Sequence, residues 1–322
     1  MVDTTFARTS DGLFWVALVL YGMAAVGFLV AFIYRRKGPS TMGVGLAAIG
    51  AAAHAGSLAT RGLAAARVPW GNMYEYSSMI AFLVVVGYLV FVNGRLKLRE
   101  LGGPALAIAL LTMALGRALY APAGPLVPAL SSWWLKVHVI AMITASSTFS
   151  IAFIFTVLYL LKDRVERRAT TVFGGSTVGA AYAGPGVQDK EGFPADYVGS
   201  EAEPTKRESV LSGFWARLPS AEKLDALAFR THAIGFPIWT FGVIAGAIWA
   251  SKAWGRYWGW DPKETWAFIT WTIYAGYLHA RATAGWRGRK AAFVAGAGFI
   301  SLWITYYVVN LWIVGLHSYA GV

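Results

Sequence analysis

The chain contains no cysteine. That excludes a thiol relay, a cysteine-ligated iron–sulfur cluster and any haem joined to this chain by thioether bonds. Charge is scarce as well: Asp, Glu, Lys and Arg make up 14% of the 322 residues, against about a quarter in soluble domains. Acidic groups are the scarcer, 16 Asp and Glu against 28 Lys and Arg, for a formal net charge of +12. Apolar residues fill the composition instead, at 57%, and 15 residues are Trp. An ordinary water-soluble globule is therefore excluded, and the informative question is where bilayer-length apolar runs lie.

Eight runs approach the ~20 residues that carry a helix across a bilayer. They fall at about 13–34, 41–60, 74–92, 103–120, 133–161, 226–250, 264–281 and 291–314. The fourth is short, and the fifth is long enough to project beyond the lipid. The expected fold is an all-α integral membrane protein with about eight transmembrane helices. If Arg35, Arg36 and Lys37 are cytoplasmic, the alternating loops put 20 of the 28 basic residues on that side and eight outside. This is the asymmetry of the positive-inside rule. It makes both termini extracytoplasmic, and it explains the net charge by topology, with no nucleic-acid partner. The first run exceeds a signal-peptide core and lacks a small-residue cleavage site before Arg35, so it is expected to be retained.

The chain divides into three regions. Residues 1–161 hold helices one to five, 162–225 form a cytoplasmic loop, and 226–322 hold helices six to eight. The loop opens on the charged run Lys162-Asp163-Arg164-Val165-Glu166-Arg167-Arg168 and continues through Gly174-Gly175-Ser176 and Ala183-Gly184-Pro185-Gly186. Such composition buries too little apolar surface to offset its ordering entropy, so a flexible linker is expected. Phe214-Trp215 can still lie in the membrane interface.

Tryptophan ordinarily marks both interfaces, but here ten of the 15 fall at or near the outer face on this topology. The densest stretch is Trp254-Gly-Arg-Tyr-Trp258-Gly-Trp260-Asp261-Pro262-Lys263-Glu264-Thr-Trp266. Its rings offer large rigid faces, and Asp261-Pro262-Lys263-Glu264 reads as a helix start, with Asp as N-cap and Pro in first position. Residue by residue, an interfacial anchor explains the tryptophans equally well. The whole string, however, closely resembles the Trp-Trp-Asp signature of the haem-handling proteins of cytochrome c biogenesis. Asp-Pro-Lys-Glu-Thr-Trp is similar to the CcsA/ResC branch of the type II system, some of whose bacterial members are called CcsB. The CcmC and CcmF branches continue differently after Trp-Asp. The likeness extends to Pro69-Trp-Gly-Asn72-Met-Tyr74-Glu75, Trp134-Leu-Lys-Val-His138, Gly235-Phe236-Pro237 and Gly246-Ala-Ile-Trp249-Ala. It continues in Tyr277-Leu278-His279-Ala-Arg281 and Gly315-Leu316-His317-Ser318-Tyr319. It covers about residues 50–160 and 225–320; the 162–225 loop departs from the compact connection usual in the family.

The resemblance implies a binding site for haem b, carried as substrate. His138, near the outer start of the fifth helix, and His317, beyond the outer end of the eighth, match the two external axial ligands. Trp254, Trp258, Trp260, Asp261 and Trp266 match the aromatic segment beside them. His279 lies 18 residues after Asp261, about 27 Å of helix, and matches a transmembrane histidine that binds haem on its way out. In the family the other ligand of that inner site belongs to a CcsB/ResB-like membrane partner; the competing reading of His279 is a hydrogen bond to a neighbouring helix. His54 reads as a packed histidine, with intramembrane ligation as the alternative, and His232 reads as interfacial. Lys252, Arg256 and Lys263, then Arg61 and Arg67, are candidates to pair with the haem propionates, or else to snorkel to lipid phosphates. Glu75 and Asp261 read as structural acceptors of backbone or indole N–H groups.

The function implied is delivery of haem, at the extracytoplasmic face of the cell membrane, to the Cys-x-x-Cys-His thiols of apocytochrome c, as a subunit of a haem–cytochrome c synthase. The cysteines would come from the acceptor, and this chain would contribute positioning, with no general acid or base in evidence. Two alternatives stay open at this point: a haem exporter without attachment activity, and a transporter of another solute.

Overall fold

In the computed structural model, the described residues are 3–34, 36–125, 130, 132–174, 214–215 and 217–317. They form helices with no strand among them. In chain order these are α1 (Thr4–Tyr34), α2 (Lys37–Ala65), α3 (Met73–Arg95), α4 (Gly102–Ala118), α5 (Trp133–Gly174), α6 (Ala221–Trp254), α7 (Pro262–Ala282) and α8 (Arg289–Trp312). Seven are long and apolar enough to cross a membrane. The other, α7, is less apolar because it carries Lys263, Glu264 and several threonines, yet its 21 residues run the length of the bundle. The protein is thus a multi-pass membrane protein built on the eight segments expected from the sequence, including a short α4 of 17 residues.

Local chemistry fixes the helix starts. Asn72 caps α3 by accepting from the Glu75 N–H at 2.9 Å, and the Ser220 side chain accepts from the Lys223 N–H to open α6. Asp261 and Glu264 form the reciprocal capping box that the Asp-Pro-Lys-Glu string predicts, with Pro262 in the first turn. Each cap answers N–H groups that lipid cannot satisfy, which is why it matters most at helix ends near a bilayer.

Within the bundle, α1 lies along α2, α3 against α4, α5 along α6 and α7 beside α8. Lipid is as apolar as leucine, so close packing, not water exclusion, must hold such helices together. Here the packing is strongly aromatic: Phe149 of α5 stacks on Tyr274 of α7 at 4.1 Å, and Phe153 stacks on Phe299 of α8 at 4.1 Å. Ion pairs mark the ends. Arg281–Asp225 and Arg289–Asp163, each 2.7 Å, gather α5, α6, α7 and α8 at one end. At the other, Glu75 accepts from Arg61 and Arg67, tying α2 and the 66–72 turn to α3.

Two expectations change. Helix α5 continues to Gly174 and α6 begins at Ala221, so both ends of the predicted 162–225 linker are helical. Charged side chains along 162–167 form i,i+4 pairs such as Arg167–Asp163, which favours helix over coil. Trp215 is buried, with Phe214 packed edge-on to Phe32, and its carbonyl accepts from the Lys162 ammonium. The rest of that linker, 175–213 and 216, lies outside the described residues. His232 is not interfacial: it sits three turns into α6, fully buried among Phe149, Tyr274 and Tyr277.

Candidate functional site

At the bundle end that holds Glu75, helices α3, α5, α6, α7 and α8 surround a cavity of about 170 Å³. His138 and His317 both line it. Each imidazole also touches the Trp249 indole on α6. His138 stacks on it with ring centres 6.4 Å apart and planes 15° apart; His317 meets it at 5.8 Å and 58°. Those two spacings cap the separation of the imidazole centres at about 12 Å. The rings share one chamber.

Hydrogen bonding fixes which nitrogen of each ring carries the proton. The His138 Nδ1 lies 2.7 Å from the Gly242 carbonyl oxygen. A carbonyl only accepts, so Nδ1 carries the proton and Nε2 keeps its lone pair. Room for this contact comes from Gly246, one turn further along α6: a Cβ there would stand 2.7 Å from the His138 Nδ1. The His317 Nδ1 likewise lies 2.7 Å from Asp261 Oδ2, leaving its Nε2 free. Burial pushes the His317 pKa below that of an ordinary histidine, with the hydrogen bond to Asp261 partly opposing it. For Asp261 burial acts upward but is outweighed by the bonds from His317 and the Leu316 N–H, leaving its pKa at about 2. An imidazole whose Nδ1–H is held by a carbonyl or carboxylate is the usual state of a metal-ligating histidine.

Asp261 therefore does more than cap α7. Its Oδ1 accepts from the Leu316 N–H at 2.7 Å and its Oδ2 from the Lys263 N–H at 3.3 Å. A carboxylate placed by a helix start thus holds the segment after α8 in register over the cavity. Gly315 makes this approach possible, since a Cβ at that position would meet Asp261 Oδ1 at 2.7 Å.

The dense Trp segment is not a continuous shelf. Trp258 lines the cavity, and Trp254 meets His317 edge-on at 4.9 Å. Trp260, by contrast, is 67% exposed, has a positive φ of 58° and packs against Trp258 and Phe268. Trp266 is half-buried and outside the cavity lining. The indole that meets both imidazoles is Trp249, 2% exposed, joined in the lining by Trp70 and Trp239. In the sequence it is marked by the family likeness of Gly246-Ala-Ile-Trp249-Ala and by its place three residues after Gly246, on the same helix face.

Among the cationic candidates, only Lys263 lines the cavity. Arg61 and Arg67 are committed to Glu75 at 2.9 and 2.7 Å, and the remaining Glu75 capacity goes to the Gly71 N–H. Lys252 and Arg256 are exposed. His279 lies on the opposite half of α7, exposed, and its ring makes no hydrogen bond among the described residues. His54 is fully buried, 2.8 Å from the Ser78 hydroxyl and 3.4 Å from that of Tyr21, a satisfied packing histidine.

Residues 70–317 match the model of the cytochrome C assembly protein family. The cytochrome c biogenesis protein CcsA of Gloeobacter violaceus is 36% identical over 323 residues, covering 94% of this chain and 92% of that protein. CcsA of Synechocystis sp. is 37% identical over 280 residues, covering 81% and 83%. Among solved structures, the cytochrome c haem lyase CcmF superposes with a TM-score of 0.61 at 13% identity, covering 94% of this chain and 46% of that one. At that identity the likeness is one of fold.

Proposed function

Because the chain belongs to the cytochrome c assembly protein family, in its CcsA branch, and so serves the biogenesis of c-type cytochromes, we propose that its cavity receives haem b and presents it for thioether attachment. The observation that carries this is the pair of imidazoles in one apolar chamber. Both have Nδ1 engaged and Nε2 free, and both rest on one indole. That donor set suits an iron porphyrin: two neutral nitrogens for the metal and a large rigid aromatic for the macrocycle.

In this reading His138 and His317 bind the iron, Trp249 and Trp258 pack against the ring, and Asp261 keeps His317 in the ligating tautomer. The chain holds the vinyl groups still while the acceptor's cysteine thiols add across them. Its contribution is orientation, an effect that reaches about 7–11 kcal/mol in favourable intramolecular cases. The cavity then lies on the extracytoplasmic side of the cell membrane, as the distribution of Lys and Arg supports. His279, exposed on α7, supports a second, inner site completed by a CcsB/ResB-like partner, since an ionisable side chain facing out of a bundle in lipid requires a partner.

The test is an absorption spectrum of the purified chain, alone and with the partner and an apocytochrome. The wild type is expected to show a Soret band of bis-imidazole haem and to yield covalent cytochrome. His138→Ala and His317→Ala should each change the band and abolish covalent product. A wild-type protein that takes up no haem would overturn the proposal; haem uptake with release but no attachment would reduce it to export.

A further inference from the structure

Lys263 is the one cation candidate that borders the cavity. Half-buried, it lines the same cavity as the two histidines, yet it forms no ion pair among the described residues. Its ammonium makes one hydrogen bond, to Asn310 Oδ1 at 2.9 Å, which leaves two of three donors without an acceptor there. Neither carboxylate nearby in sequence pairs with it, although Glu264 also lines the cavity. Asp261 accepts from His317 and two backbone N–H groups, and Glu264 Oε2 accepts from the Gly259 and Asp261 N–H groups at 2.9 and 3.1 Å. A charge withdrawn from water and met only by a neutral amide is unfavourable unless a ligand completes it.

The amide is oriented for that purpose. Asn310 Nδ2 donates to the Tyr306 carbonyl, so the oxygen, not the nitrogen, must face Lys263. Both Tyr306 and Asn310 line the cavity, and they flank the end of the π turn Ile304–Val308 in α8. Such a turn inserts a residue and re-aims the side chains beyond it, a frequent device at functional sites. From these contacts we infer that Lys263, steered by Asn310, forms a carboxylate subsite that takes a propionate of the bound haem. This rests on the haem reading above and adds to it an orientation: the propionate edge faces the α7–α8 wall. The same chemistry could serve an acidic group of the acceptor polypeptide, and the experiment separates the two.

The full-length protein, stripped of haem in detergent, is titrated with ferric protohaem and with its dimethyl ester, whose propionates carry no charge. No acceptor protein is present. A charge-assisted hydrogen bond of the usual strength predicts that wild type binds haem roughly ten- to a hundredfold more tightly than the diester. Lys263→Met should bind both alike, with the bis-imidazole spectrum intact, while Lys263→Arg should keep part of the preference. Asn310→Leu, which leaves the cation but frees it, should weaken the preference several-fold. Equal wild-type affinity for haem and diester, with normal spectra, would overturn the subsite alone, and would point the cation to the acceptor instead. An undiminished preference in Lys263→Met would do the same. Failure to bind either porphyrin would sink the haem reading and the subsite with it.

Discussion

Gly246→Ala separates fold from ligand geometry more sharply than removing a histidine. A methyl at 246 would stand 2.7 Å from His138 Nδ1 and 2.9 Å from its Cε1, too close to coexist. The imidazole has somewhere to go, because it borders a cavity, but moving breaks its 2.7 Å bond to the Gly242 carbonyl. Losing that bond costs about 1 kcal/mol, and replacing Gly by Ala inside a helix returns about 1 kcal/mol. The folded protein should therefore change by no more than about 1 kcal/mol. The freed ring loses the contact that aimed Nε2, and lost orienting contacts typically lower metal affinity about 10- to 100-fold. The assay is haem titration followed in the Soret region, alongside thermal unfolding of the same samples. Gly276→Ala on α7 is the control, since nothing lies within 4 Å of a Cβ there. Wild-type affinity and spectrum in Gly246→Ala would refute the reasoning, as would an equal loss in Gly276→Ala.

Asp261→Asn should weaken haem binding about 10- to 100-fold while unfolding near the wild-type temperature, because Asn is as good an N-cap as Asp. Asp261→Ala should lose binding and a further ~1 kcal/mol of stability, a difference that thermal scans can read. Glu75→Ala leaves the buried Arg61 and the half-buried Arg67 without their shared carboxylate and should destabilise the fold by about 3–5 kcal/mol, seen as loss of monodisperse protein in detergent. His54→Gln should leave the haem spectrum unchanged, since His54 lies among Tyr21 and Ser78 and outside the cavity lining; an altered Soret band would show that it ligates after all.

Helices and their ends are legible in the sequence because their causes are local. Bilayer-length runs give α1 to α8, and Asp-Pro-Lys-Glu gives the start of α7 to the residue. His138 and His317 are put at one membrane level by the topology and paired by motif likeness, since no spacing rule brings together two residues so far apart in the chain. The features that escape a sequence reading depend on how helices face one another. Trp260 and Trp266 look interchangeable with Trp258, but a positive φ at Trp260 swings its ring into the open. Trp249 looks like one more interfacial ring, yet it touches both imidazoles because α6 passes behind the two of them. Arg61 and Arg67 look like propionate partners; Glu75, across the α2–α3 junction, claims them. His232, three turns inside α6, reads as interfacial because an apolar run does not reveal where a helix begins.

The Asp261 carboxylate joins these two levels. As an N-cap it answers an exposed backbone N–H of α7, a local requirement that any Asp, Asn or Ser could meet. The same oxygens accept from the Leu316 N–H and the His317 ring, and only a carboxylate can both take three donors and favour Nδ1 protonation of an imidazole. The helix start thus determines where the post-α8 segment lies, and through it where the free Nε2 points. On the other side of the chamber the His138 ring is aimed by a main-chain carbonyl of α6 and by the missing side chain at Gly246. One imidazole is thus oriented by a main-chain carbonyl and the other by a carboxylate that two backbone N–H groups hold in place. On the haem proposal, acceptors fixed in this way hold both rings in place before the cargo arrives, which lowers the ordering cost of taking it up.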